Sequence, residues 1–142
     1  MVVGHRGMLF EEMENTIPSF AHAADIGCDA VELDIFLLKC GTIAAFHGGG
    51  PENLGSLDEH CGFIGNIMDL TYEEARMLPM NEECDEFVCP KEKIGCAVIP
   101  TLEEVLEFAK RRGVILSLEL KGPGTPLPTL YLVEGKFKDL YT

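Results

Sequence analysis

The chain has 142 residues, 46% of them hydrophobic and 25% charged, an ordinary globular composition for a single domain, which excludes wholesale disorder. Its 24 acidic against 11 basic residues give a formal net charge of −13, which argues against a nucleic-acid binder, because such proteins carry a basic face. No apolar run approaches the ~20 residues of a membrane span.

Val2-Val3 is a short apolar strand end that runs straight into Gly4-His5-Arg6-Gly7. Neither a basic leader nor a long apolar segment precedes it, so the expectation is a cytoplasmic protein, or one whose true amino terminus is missing. Residues 16–26 predict a helix: Thr16 as N-cap, Pro18 in the first turn, Ile17, Phe20, Ala21 and Ala24 at helical spacing, and Gly27 as the stop. Residues 29–37 predict a strand with Val31, Leu33 and Ile35 on one face and Glu32 and Asp34 on the other. Cys40-Gly41 is a turn, and 42–47 a second strand that follows too closely for a crossover helix.

Residues 48–99 form an irregular excursion, with one short helix expected at 71–78, where Thr71 and Glu74 make a capping box. Its place after His47 suggests that it covers the mouth of a site. Cys84, Cys89 and Cys96 cluster within it. They could form one local disulfide in a secreted protein and remain thiols in a reducing compartment. No CxxC pair occurs, so no zinc ribbon or thioredoxin-like motif is supported. After Pro100, Thr101 caps a helix with Glu104 three residues on, Leu102, Val105, Leu106 and Ala109 form its apolar stripe, and Gly113 ends it. Residues 114–121 predict the last strand, and a weakly helical or irregular tail follows. Helices alternating with strands predict an α/β fold with a parallel sheet.

The chemistry sits at strand ends. Glu32 and Asp34 share a face, and Glu119 and Lys121 repeat the pattern on the last strand. Two carboxylates on such a face repel unless a cation holds them. An oxygen-only set suits a hard divalent ion, Mg²⁺ or Ca²⁺. The competing reading is a solvated edge paired with Lys121. His5 and His47 close the first and third strands, at the edge where parallel α/β folds place active sites. His22 and His60 are background. A Lewis acid, two imidazoles and the cations Arg6 and Lys121 are the equipment for opening a phosphodiester.

Gly4-His5-Arg6-Gly7, Glu14-Asn15-Thr16 with Pro18-Ser19-Phe20, Val31-Glu32-Leu33-Asp34, Phe46-His47 and Glu119-Leu120-Lys121 together resemble the glycerophosphodiester phosphodiesterase family. The resemblance covers residues 2 to about 124 and thins through 50–95. It implies a TIM-type (β/α)8 barrel, of which residues 1–142 would supply the N-terminal part, about the first four strands. It implies hydrolysis of glycerophosphodiesters to glycerol 3-phosphate and an alcohol. His5 and His47 would be the acid/base pair, Glu32, Asp34 and Glu119 the ligands of the divalent metal, Arg6 and Lys121 the phosphate contacts, and Glu14 and Asn15 supports. A related chemistry yielding a cyclic phosphate uses the same residues.

Three departures stand out: His47-Gly48 where the family has His-Asp, Met13 where it has Pro, and a length well short of the ~250 residues of such a barrel. The expectation is therefore a chain that is poorly active alone. The alternative is a catalytically inactive half-barrel that binds a metal or a phosphorylated ligand, or joins a partner chain that completes the barrel.

Overall fold

The computed structural model describes residues 1–62, 64–78, 80 and 98–140. The cysteine cluster at 84–96 lies outside them. Four strands form one sheet: β1 (Val3–His5), β2 (Ala30–Leu37), β3 (Ile43–Ala45) and β4 (Ile115–Leu120). β1 and β4 run parallel to β2, on its opposite edges. β3 runs antiparallel to β2, so it is a hairpin arm and not a further parallel stave. It takes the upper part of the edge whose lower part β1 occupies: β1 pairs through Glu32, and β3 pairs from Ile35 to Leu37. β3 therefore runs back toward the end of β1.

The helices follow their start signals. α1 (Ile17–Asp25) begins after Thr16, but the Thr16 hydroxyl donates backward to the Met13 carbonyl (2.6 Å) instead of capping the helix. α2 (Asp58–Cys61) is one short turn that the sequence did not announce. α3 (Tyr72–Arg76) and α4 (Leu102–Arg112) both open with complete capping boxes, Thr71 with Glu74 and Thr101 with Glu104. The tail, expected to be weakly helical or irregular, is helical: α5 (Pro126–Lys136). Its two prolines lie in the first turn, where backbone N–H groups have no helical acceptor to lose.

The period of two on β2 divides the molecule. Val31, Leu33 and Ile35 are fully buried against Phe20 and Ala23 of α1 and Leu102, Val105 and Leu106 of α4. Each such side chain contributes roughly 1.5–3 kcal/mol by leaving water. On the other face Phe36, with Phe46 beyond β3, anchors a second core with Leu57, Cys61, Ile67, Ala75 and Ile99. The described part of the excursion is thus packed onto the carboxylate face. No helix of the described residues is long and apolar enough to cross a membrane.

Candidate active site

The site grows from the turn after β1. Arg6 and Gly7 both have positive φ, 55° and 90°. At Gly7 a Cβ would stand 2.3 Å from the Ser19 hydroxyl, so α1 packs there only against glycine. The bend aims the Arg6 N–H at Glu32 Oε2 (3.2 Å), and the Arg6 carbonyl accepts from the Asn15 N–H (3.0 Å). Asn15, itself left-handed at φ 57° and buried, embraces Asp34. Its Nδ2 donates to Asp34 Oδ2 (3.3 Å), and its Oδ1 accepts from the Asp34 N–H (3.1 Å). Asn is among the few side chains that tolerate this backbone region.

The sheet register then sets the carboxylates. Asp34 pairs with Glu119 across β2 and β4, and Glu32 pairs with His5 across β2 and β1. One oxygen each from Glu32, Asp34 and Glu119 lies within 4.8 Å of the others. Burial pushes the Glu32 carboxyl up, and the charge of Asp34 adds to it. Its Oε1 is buried and accepts no hydrogen bond among the described residues. Lys121 Nζ lies 2.5 Å from Glu119 Oε1 and 3.4 Å from Asp34 Oδ1. That hydrogen bond with Glu119 holds the Lys121 ammonium above its usual range and Glu119 below its own. Arg6 Nε reaches the fully buried Asp34 at 3.0 Å, and Arg6 Nη1 reaches Glu14 Oε2 at 3.2 Å. Two fixed cations therefore face four carboxylates. The residual negative charge and the orphaned Glu32 oxygen fit a divalent cation on an all-oxygen set.

The histidines divide. His5 is exposed beside Glu32, with Nε2 3.8 Å from Oε2. His47 arrives from β3 and places Nδ1 3.3 Å from Glu14 Oε1. At Gly48 a Cβ would stand 2.0 Å from the Ser56 carbonyl oxygen, so no side chain fits at that position. The carboxylate that meets His47 comes instead from Glu14. His60, set aside in the sequence as background, meets the same Glu14 Oε1 at 3.1 Å through Nε2. Burial raises the Glu14 carboxyl, but the His60 hydrogen bond and the Arg6 and His60 charges outweigh it and hold the group down at about 2.

All nine residues singled out in the sequence thus cluster here: the three carboxylates and His5 on the strands, Arg6 and Lys121 just past the ends of β1 and β4, and Glu14, Asn15 and His47 on the loops. His60 was missed because no periodicity marks a four-residue helix. The sole signal was a histidine in a segment expected to cover the site. His22 stays apart, near Glu11 and Glu12 on the surface.

Residues 5–126 match the glycerophosphoryl diester phosphodiesterase family. A glycerophosphodiester phosphodiesterase of Bacillus altitudinis is 35% identical over 121 residues, covering 84% of this chain and 44% of that protein. Among solved structures, a glycerophosphodiester phosphodiesterase of Agrobacterium tumefaciens superposes with a TM-score of 0.77 at 25% identity, over 94% of this chain and 52% of its own. A phosphodiesterase of Oleispira antarctica, solved with its product sn-glycerol-3-phosphate, gives 0.76 at 26% identity, over 95% and 52%. The chain spans about half the length of these relatives, and its open sheet with flanking helices is part of their TIM-type barrel. Sequence match, superposition and shared architecture agree: the chain belongs to the glycerophosphoryl diester phosphodiesterase family.

Proposed function

We propose that these residues are the metal-binding and acid/base half of a site that hydrolyses glycerophosphodiesters to glycerol 3-phosphate and an alcohol. The observation that carries this reading is the meeting of Glu32, Asp34 and Glu119 within 4.8 Å, with Arg6 and Lys121 among them. Glu32, Asp34 and Glu119 hold a hard divalent ion, Mg²⁺ or Ca²⁺. That ion, when bound, supplies Lewis-acid polarisation of a phosphoryl oxygen. Arg6 and Lys121 hold the phosphate against the overall negative field of the chain. Of His5 and His47, one accepts the proton of the attacking oxygen as the new P–O bond forms. The other donates a proton to the alcohol oxygen as the old P–O bond breaks. Glu14 orients His47 through Nδ1, and Asn15 fixes Asp34. The Oleispira antarctica relative, bound to sn-glycerol-3-phosphate, supports this class of product.

The test is turnover of glycerophosphocholine by the purified protein with Mg²⁺ or Ca²⁺. His5→Ala or His47→Ala is expected to lower turnover by ~10²-fold or more and to spare metal binding. Undiminished turnover in both variants would sink the acid/base assignment. Analysis of the product for a cyclic phosphate separates hydrolysis from internal transfer. A second reading, a half-barrel that binds the ion or a phosphorylated ligand without turning it over until a partner completes the wall, is favoured by the exposure of Val3 and Ile115 beside the carboxylate face. Metal binding without turnover supports it.

A further inference from the structure

The mechanism above gives His60 no task, yet its side chain is more deeply buried than that of His5 or His47. His60 Nε2 lies within hydrogen-bond reach of Glu14 Oε1, at 3.1 Å, and the same oxygen stands 3.3 Å from His47 Nδ1. Arg6 Nη1 donates to both Glu14 oxygens, at 3.4 and 3.2 Å. Gly48 has no room for a side chain, so the carboxylate beside His47 reaches in from a distant segment and must be held there. We propose that His60 is a positioning residue for His47: by donating to the shared Glu14 oxygen it fixes that carboxylate, and so sets which His47 nitrogen exchanges protons and how tightly the ring holds its proton. The proposal rests on the acid/base role given to His47 above.

The acceptor assigns the protons. Glu14 is held down at about 2, so it is ionised near neutral pH and only accepts. Both imidazole nitrogens that face it therefore carry hydrogen: Nε2 of His60 and Nδ1 of His47. Nε2 of His47 is then the nitrogen that exchanges a proton with the substrate. The carboxylate is gripped from two sides. Arg6 also binds Asp34 through Nε at 3.0 Å, so it holds Glu14 from the side of the carboxylate set, and His60 holds it from the excursion. His60 itself is fixed. Its ring stands edge-on to Phe46, at 6.1 Å between centroids and 89° between planes. Leu57 and Cys61, which bracket its short turn, are buried in the second core. The second donor also tempers the charge on Oε1, leaving less of it to favour the His47 imidazolium. Among the described residues the charged and titratable groups around this pair are Arg6 after β1, Glu14, His60 on the excursion, and Asp58, which with His47 lines a groove of about 470 Å³. Removing the His60 donor, and the charge it carries when protonated, therefore raises the affinity of His47 for its proton.

The experiment is long-range proton–nitrogen NMR of the imidazole rings in the isotope-labelled full chain, followed across pH. Above the titration of both rings, the parent chain is expected to show His47 as the Nδ1–H tautomer and His60 as the Nε2–H tautomer. His60→Phe keeps a ring beside Phe46 and removes the donor. It is expected to move the His47 titration midpoint upward by about half a unit or more. His60→Gln, whose amide nitrogen stands in for Nε2, is expected to leave that midpoint close to the parent's. The opposite tautomer of either ring in the parent, an unmoved or lowered midpoint in His60→Phe, or a shift in His60→Gln as large as that in His60→Phe would each overturn the proposal. The tautomers are read on the parent chain, so the test does not depend on either variant folding. None of these readouts uses diester turnover, so their failure and the failure of the function proposed above are told apart.

Discussion

At Glu32 and Glu14 two carboxylates of one site are driven in opposite directions. Burial and the charge of Asp34 raise Glu32, so its ionised form costs the folded chain free energy that a bound cation returns. Glu32→Gln is therefore expected to raise the metal-free melting temperature while weakening Mg²⁺ or Ca²⁺ binding. Thermal scans with and without the ion check both halves. Glu14 is the reverse case. Its folded value of about 2 lies below the ordinary 4.5, so its contribution is complete above about pH 4.5 and is lost as pH falls toward 2. Glu14→Gln should flatten the acid limb of stability over that window, by on the order of 2–3 kcal/mol in denaturant titrations across pH. Glu32, Asp34 and Glu119 were legible in the sequence because a period of two on a strand fixes which side chains share a face. The pairing of Glu14 with His60 was not, because it depends on how an aperiodic segment packs.

Capping chemistry explains why helices α3 and α4 begin where the sequence puts them. The Thr101 hydroxyl accepts from the Glu104 N–H at 3.1 Å, and the Glu104 carboxylate accepts from the Thr101 N–H at 2.8 Å. The same segment is tied to β3, where the Pro100 carbonyl accepts from the Ala45 N–H at 2.9 Å. Thr101→Ala should cost about 1 kcal/mol, read from the urea midpoint. Elements whose signal is local were thus predicted within a residue or two: α1, β2, α4 and β4. Two were not. The direction of β3 is a property of pairing; the five residues between β2 and β3 excluded a crossover but left the partner edge open. α5 was obscured by Pro126 and Pro128, which read as breakers until their place in the first turn is known.

Across the molecule the outer face of the sheet is covered and the inner face is only partly so. Val3 and Ile115 flank Ala30 in register, on the face that carries Glu32, and are 43% and 61% exposed. In the (β/α)8 relatives the inner face is a packed core. The chain studied by itself is expected to self-associate with rising concentration, as seen by sedimentation, and Ile115→Lys with Val3→Lys should shift it toward monomer. The fold class was readable from alternating periodicities, and 142 residues against the ~250 of a closed barrel announced an open wall. Among the described residues β1 and β4 each pair only with β2, so the sheet has two free rims. Closing it takes a body that grips both rims at once, with one strand running beside β4 and another beside β1. A lone peptide added to either rim would satisfy that row of hydrogen bonds and still leave the floor between Val3 and Ile115 wet.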